Sequence, residues 1–167
     1  LIRSSYPFLF HFFLFLTGWI VWTWIEYHFH RFLLHPKTGR GKTGTSQTHQ
    51  HHHLNPSQFE TTWLHRVLLL ISSCVFIYIA YRLNNYFTLL SGLFWGWTAF
   101  CHIHYLIHKK WTKAFMPRHH EFHITHHCKF KDKCFGVSVI WWDILFDTTP
   151  EKKPAVNNNT LHLYYKK

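Results

Sequence analysis

Three long apolar stretches, bordered by clusters of histidine, set the terms on which this 167-residue chain can fold. They run from Phe8 to Ile25, from Val67 to Tyr81 and from Tyr86 to Ile107. The first is eighteen residues long without a formal charge, interrupted mainly by His11, Thr17 and Gly18. A bilayer core takes roughly 20 apolar residues, with a range near 17–25, so the first and third stretches have the length of a span and the second is short. None is followed by the small-residue cleavage site of a signal peptide. The expected architecture is therefore an all-α integral membrane protein with three transmembrane helices. A soluble helical core is the alternative, and it would have to bury these stretches. The single Met is not at position 1, so further sequence is expected before Leu1.

The formal net charge of +11 has a geography. Arg3 and Arg82 stand at one set of stretch ends. Arg31, Lys37, Arg40, Lys42, Arg66, Lys109, Lys110, Lys113, Arg118, Lys129, Lys131 and Lys133 stand at the other. Positive loops stay on the cytoplasmic or matrix side, so the second set belongs there. Because these cations border apolar stretches and form no separate patch, nucleic acid is excluded as their partner and anionic lipid headgroups are expected. Cys74 and Cys101 read as small core residues. The six-residue spacing of Cys128 and Cys134 suits neither a zinc ribbon nor a disulfide framework.

Residues 6–34 read as one helix that Pro36 ends. Residues 37–48 read as a polar loop; its Gly-Lys-Thr lacks the preceding strand and glycine spacing of a phosphate loop. Pro56 is expected near a helix start. Val67–Leu83 and Tyr86–His108 form a helical hairpin about Asn84-Asn85. Val137–Phe146 reads as an interfacial helix, and Asn157–Asn159 as loop. Residues 1–149 make one membrane domain and 150–167 a polar tail.

Eighteen histidines fall mostly into four clusters, which this topology brings to one side of the membrane. Side chains at i, i+3 and i+4 share a helix face. His49, His52 and His53 obey that rule, as do His104 with His108, and His123 with His126 and His127. His30 and His35 are five apart, with His35 at the helix end where the chain can turn it inward. Imidazole is the commonest ligand for first-row metals, and ten such nitrogens suit two ions with open positions better than one tetrahedral zinc. Glu26 and Glu121 are expected to hold histidine N–H groups from behind. His11, His65 and His162 have no companions, while His28, His51, His102, His119 and His120 stay open, as does the register at His51 against His52.

The series His-x4-His, His-x2-His-His, His-x3-His, His-x2-His-His resembles the fatty acid hydroxylase/sterol desaturase superfamily, closest to its fatty acid 2-hydroxylase branch. The words Glu26-Tyr27-His28-Phe29-His30-Arg31-Phe32-Leu33-Leu34-His35, Phe135-Gly136-Val137-Ser138 and Trp142-Asp143-Ile144-Leu145-Phe146-Asp147-Thr148 are similar to that family's, and the resemblance covers about residues 20–149. It implies a membrane-bound hydroxylase of fatty acyl or sterol lipids with two iron ions, for which zinc can stand in after purification, and dioxygen as cosubstrate. The ligands it implies are His30, His35, His49, His52, His53, His104, His108, His123, His126 and His127. It also implies a b-type cytochrome or reductase as electron donor, and the endoplasmic reticulum as the usual membrane, with mitochondrial or bacterial inner membranes as alternatives. The family has four spans against the three counted here, and a proline-rich continuation after the second cluster is absent. An accessory subunit of a larger membrane complex, keeping the fold and the metal site, is the competing reading. A metal transporter would carry its ligands at mid-span, and these clusters lie at the ends.

Overall fold

The computed structural model describes residues 7–36, 43–58, 61–83, 85–152 and 155–165, with no strand among them. The α-helices are α1 (Phe8–His28), α2 (Gly44–Leu54), α3 (Trp63–Arg82), α4 (Asn85–Ile107), α5 (Pro117–Cys128), α6 (Trp141–Leu145) and α7 (Asn158–Tyr164). A π-helical turn, Phe29–Leu34, continues α1, and a 3-10 turn, Lys110–Ala114, lies between α4 and α5. The chain divides into two compact units, Leu1–Ile25 with Thr61–His102, and Glu26–Glu60 with Ile103–Lys167.

Two helical runs, Phe8–Leu34 and Trp63–Arg82, are long and apolar enough to cross a membrane, and only 11% of each apolar window is buried. A soluble core would have buried them. The third expected span is helical throughout as α4, but Thr88, Ser91, Thr98, His102 and His104 dilute its apolar content.

In the first unit polarity is inverted relative to a water-soluble protein. Phe8, Phe13 and Trp24 on α1 and Leu68, Ile71 and Tyr78 on α3 face outward. The buried residues of α3 are Ser73 and Ala80. Where apolar surroundings give helices no reason to hide hydrocarbon, small residues and hydroxyls make the contacts. Ser73 and Thr98 hydroxyls meet at 2.5 Å, His11 Nδ1 meets Thr88 Oγ1 at 3.0 Å, and the Ser91 hydroxyl donates to the Phe76 carbonyl at 2.8 Å. A Cβ on Gly18 would strike the Leu89 carbonyl, and one on Gly92 the Phe15 carbonyl, so α1 and α4 touch backbone to backbone.

The second unit corrects four expectations. The loop expected through residue 48 gives way to α2 at Gly44, because the Thr43 hydroxyl accepts from Ser46 N at 3.2 Å and caps the helix; residues 37–42 lie outside the described residues. Pro56 follows the end of α2, and Thr62 caps α3 instead. Only Trp141–Leu145 of the expected 137–146 helix is helical, because carboxylates take the amides just before it. Asn157 is a cap, its side chain accepting from Asn159 N at 2.9 Å to start α7.

Gly92→Leu is expected to push α1 from α4 and destabilise the detergent-solubilised chain by about 1–3 kcal/mol, the usual penalty of overpacking. A thermal melt matching the unaltered chain would contradict this contact.

Candidate metal centre

The π-helical turn explains how histidines five apart converge. Its hydrogen bonds run i to i+5, and the closing bond is His35 N to the His30 carbonyl at 3.2 Å. One turn therefore ends five residues on, and the two rings stand 5.2 Å apart. Pro36, which has no N–H, follows at once.

Ten histidines of the second unit gather into two groups of five, within each of which the ligand-type nitrogens lie within 4.8 Å of one another. The first holds His30, His35, His49, His53 and His126; the second holds His52, His104, His108, His123 and His127. The ten are those singled out by spacing, but a triplet does not keep to one group. In α2, His49 and His53 enter the first group and His52 the second; in α5, His123 and His127 enter the second and His126 the first. Partners four apart stay together. The i+3 residue leans about 60° the other way around the helix and crosses over. The rings of His53 and His127 stack at 4.1 Å where the groups meet.

Nitrogen separations test whether an ion fits. His49 Nε2 lies 3.0 Å from His30 Nε2, 3.0 Å from His35 Nε2 and 3.1 Å from His53 Nε2. A ring nitrogen has one in-plane position, holding either a proton or a lone pair, so three such neighbours cannot all be hydrogen bonds. Their lone pairs point toward a common centre. With metal–nitrogen bonds of ~2.0–2.1 Å, donors at right angles stand ~2.9–3.0 Å apart and tetrahedral donors ~3.3–3.4 Å. His126 and His35 stand at 3.0 Å and His108 and His123 at 2.9 Å, at the right-angled value, whereas His52 and His104 at 3.2 Å lie nearer the tetrahedral one. Five such donors are one short of six, which leaves room for another ligand. His127 has both ring nitrogens buried without a hydrogen bond, a costly state for an imidazole unless an ion binds it.

Backbone carbonyls, not carboxylates, fix the ring orientations. His30 Nδ1–H donates to the Phe135 carbonyl at 2.6 Å, His52 Nδ1–H to Gln58 at 2.8 Å and His126 Nδ1–H to Lys133 at 2.7 Å. Each bond sets the tautomer and leaves Nε2 unprotonated toward its group. Glu26, expected behind a histidine, accepts instead from Val137 N at 2.9 Å and Ser138 N at 2.8 Å. Asp143 accepts from Phe135 N and Gly136 N, both at 2.8 Å, and from the Thr148 hydroxyl at 2.7 Å. Two buried carboxylates thus satisfy four successive amides and hold the loop whose Phe135 carbonyl steadies His30. In the sequence Asp143 reads only as part of a family word. Glu121 is half-buried on α5.

Electrostatics favour neutral rings. Burial first, then neighbouring imidazoles, holds His53, His123, His126 and His127 well below the ordinary histidine range. Burial, His49 and Lys131 bring His35 down to about 3. Neutral imidazole is the metal-binding form.

Of the remaining histidines, His51 is exposed beside Asn55, and the buried member of the His51/His52 pair is His52. His102 Nδ1–H donates to the Thr98 carbonyl and His119 Nε2–H to that of Ser138. His28 meets Phe146 edge-on. His120 is buried outside both groups. One neighbour escaped the sequence reading altogether: Tyr164 of α7, stacked on His108 at 4.6 Å. Nothing in its surrounding tail composition signals that contact.

Residues 15–148 match the family model described as fatty acid hydroxylase. Among curated relatives, a dihydroceramide fatty acyl 2-hydroxylase of Arabidopsis thaliana is 30% identical over 81% of this chain and 60% of its own length. A ceramide very long chain fatty acid hydroxylase of Saccharomyces cerevisiae is 31% identical over 84% and 38%. A fatty acid 2-hydroxylase of Homo sapiens is 28% identical over 83% and 40%. The chain therefore spans between about two fifths and three fifths of these relatives. A solved structure of full-length Scs7p, with only its hydroxylase domain visible, aligns at a TM-score of 0.61 over 91% of this chain and 61% of that one, at 24% identity; the likeness is one of fold.

Asp143→Ala leaves two buried amides unsatisfied, while the Thr148 hydroxyl keeps Tyr27 as a partner, and is expected to cost about 2–4 kcal/mol, at roughly 1–3 kcal/mol for each orphaned group with partial relaxation. Exposed Asp132→Ala is the control, and equal melting temperatures for the two variants would refute the loop's dependence on Asp143. A second expectation concerns acid. His35, His53, His123, His126 and His127 stay neutral when folded, whereas unfolded rings protonate near 6.5, so below about pH 6.5 the unfolded chain binds more protons. Stability is complete above that pH and falls as the pH drops toward the folded values. With chelator present, the melting temperature is expected to be lower at pH 5 than at pH 7.5; an equal or higher value at pH 5 speaks against neutral clusters.

Proposed function

Because the chain belongs to the fatty acid hydroxylase family, we propose that it is a membrane-bound lipid hydroxylase whose two five-histidine groups hold two iron ions. The observation that carries this reading is the convergence of ten histidines, nine buried and His35 half-buried, into two sets of five whose nitrogens lie within 4.8 Å of one another, several pairs at right-angled spacing. His30, His35, His49, His53 and His126 are the proposed ligands of one ion, and His52, His104, His108, His123 and His127 those of the other. A pair of iron ions supplies the reductive activation of dioxygen that an unactivated C–H bond demands.

The residues of the chain do the rest. Depressed basicity keeps one ring nitrogen of His35, His53, His123, His126 and His127 unprotonated at neutral pH, so ions and protons do not compete there. Carbonyls of Gln58, Lys133 and Phe135 lock three rings before any ion arrives, which removes an ordering cost from binding. Outward-facing Phe8, Phe13, Ile71 and Tyr78 suit contact with lipid tails. In this reading α4 joins the two apolar helices as a third span, and the basic residues around the histidine clusters mark the cytoplasmic or matrix side. The endoplasmic reticulum is the proposed membrane.

The relatives named as 2-hydroxylases of dihydroceramide, ceramide or fatty acids make the acyl chain of a sphingolipid or fatty acid the proposed substrate, oxidised at carbon 2. In overall balance a C–H bond, dioxygen, two electrons and two protons give an alcohol and water. The proposed electron donor is a b-type cytochrome or reductase.

The test joins metal content to product. Chain purified in mild detergent is expected to carry about two iron or zinc ions, and His126→Ala/His127→Ala, which removes a ligand from each group, is expected to lose both. Cells lacking their own 2-hydroxylase should accumulate 2-hydroxy acyl lipids when they express the unaltered chain and not the variant, as read by mass spectrometry. Folded protein without metal refutes the oxygenase reading. Two ions without product, in the presence of the reductase, leave the accessory-subunit reading in its place.

A further inference from the structure

We propose that α7 is a clamp on the second histidine group and that Tyr164 is the positioning residue that aims His108; this rests on the reading of that group as a metal site. His108 follows the last residue of α4, where regular hydrogen bonding gives out and helix geometry no longer directs the side chain. What directs it is Tyr164. The two rings stack at 4.6 Å and 24°, and the same phenol meets the rings of His127 and His123 edge-on at 5.6 and 6.4 Å. Tyr164 is only 2% exposed, and its hydroxyl donates to the Ile107 carbonyl at 3.2 Å, a helix-end acceptor that the missing next turn leaves open.

A second contact fastens the helix that brings Tyr164 in. His120, fully buried and outside both groups, has Nε2 2.7 Å from the Thr112 hydroxyl and Nδ1 2.9 Å from the Tyr165 hydroxyl. The Thr112 hydroxyl has one proton, which it donates to the Leu106 or Lys109 carbonyl at 2.6 or 2.8 Å. Its oxygen therefore accepts from His120 Nε2–H, and His120 Nδ1 accepts from Tyr165. His120 is thus accounted for without a metal. It is a latch between the 3-10 turn after α4 and the end of α7. Among the described residues, Tyr164 has ring contacts only with the second histidine group and with Tyr165, so the clamp acts on one group of the two.

The test uses the full chain in detergent, loaded with cobalt(II), and follows its release to excess chelator through the visible cobalt absorption. Release is expected in two phases, of which His123→Ala lacks the one belonging to the second group. Tyr164→Ala is expected to speed that phase by roughly 10–100-fold, the usual scale for losing a residue that supports a ligand, and to leave the other unchanged. Tyr164→Phe keeps the stack and is expected to release both ions at rates near those of the unaltered chain. Tyr165→Phe loosens the latch with Tyr164 in place and is expected to speed the same phase by less; it carries the test should Tyr164→Ala not fold. Equal acceleration of both phases, no acceleration, or a Phe variant as leaky as the Ala variant overturns the clamp. A chain that binds no cobalt overturns the metal reading and the clamp with it, which distinguishes that failure from the others.

Discussion

Ten clustered imidazoles, nine buried and His35 half-buried, bring Nε2 lone pairs as close as about 3 Å; lone pairs so placed repel until a positive charge sits among them, and much of the second unit holds them there. Unfolded rings would take up protons and drift apart. Folding prevents both by burying the rings and by anchoring Nδ1 where a carbonyl is within reach. The cost of that arrangement explains why supports recur around it: a capped α2, a changed helical pitch before Pro36, two carboxylates beneath one loop, and a tyrosine laid over a ring.

The carboxylates show how an outer layer works without touching a histidine of either group. Asp143 and Glu26 each take two successive amides from 135–138. A peptide whose N–H is engaged by a charge is polarised, so its carbonyl accepts more strongly. The peptide joining Phe135 to Gly136 is such a unit: its N–H, on Gly136, meets Asp143 and its carbonyl, on Phe135, meets His30. Gly136 belongs to the same device, because a Cβ there would strike the Val139 carbonyl and the Asp143 carboxylate.

What could be read from sequence follows the range of the interactions involved. The helix through residue 34 was legible because a charge-free run and a proline are local signals. Eight of the ten histidines stood out because spacings of three and four mark one face of a helix, and His30 and His35, five apart, because His35 lies at the helix end. Their division into two groups was not legible, since it depends on how α2 and α5 face each other. Residues 137–140 read as helix in the sequence because their apolar run resembles one, while the carboxylate that holds Val137 lies 111 residues earlier in the chain. Tyr164 was hidden for the same reason, being fixed by contacts with residues more than thirty positions away. The inverted polarity of the first unit was half legible. The apolar runs announced themselves, whereas the pairing of Ser73 with Thr98 required the fold.

The π-helical turn bears on how such a chain tolerates change over generations. An α-turn presents residues four apart to one side, and a π-turn presents residues five apart. An inserted residue between His30 and His35 can thus be absorbed as a wider coil, with both rings kept on target and the downstream register undisturbed. The gap between two histidines in a sequence is then a record of local pitch, and lineages can lengthen or shorten it by one without surrendering the pair.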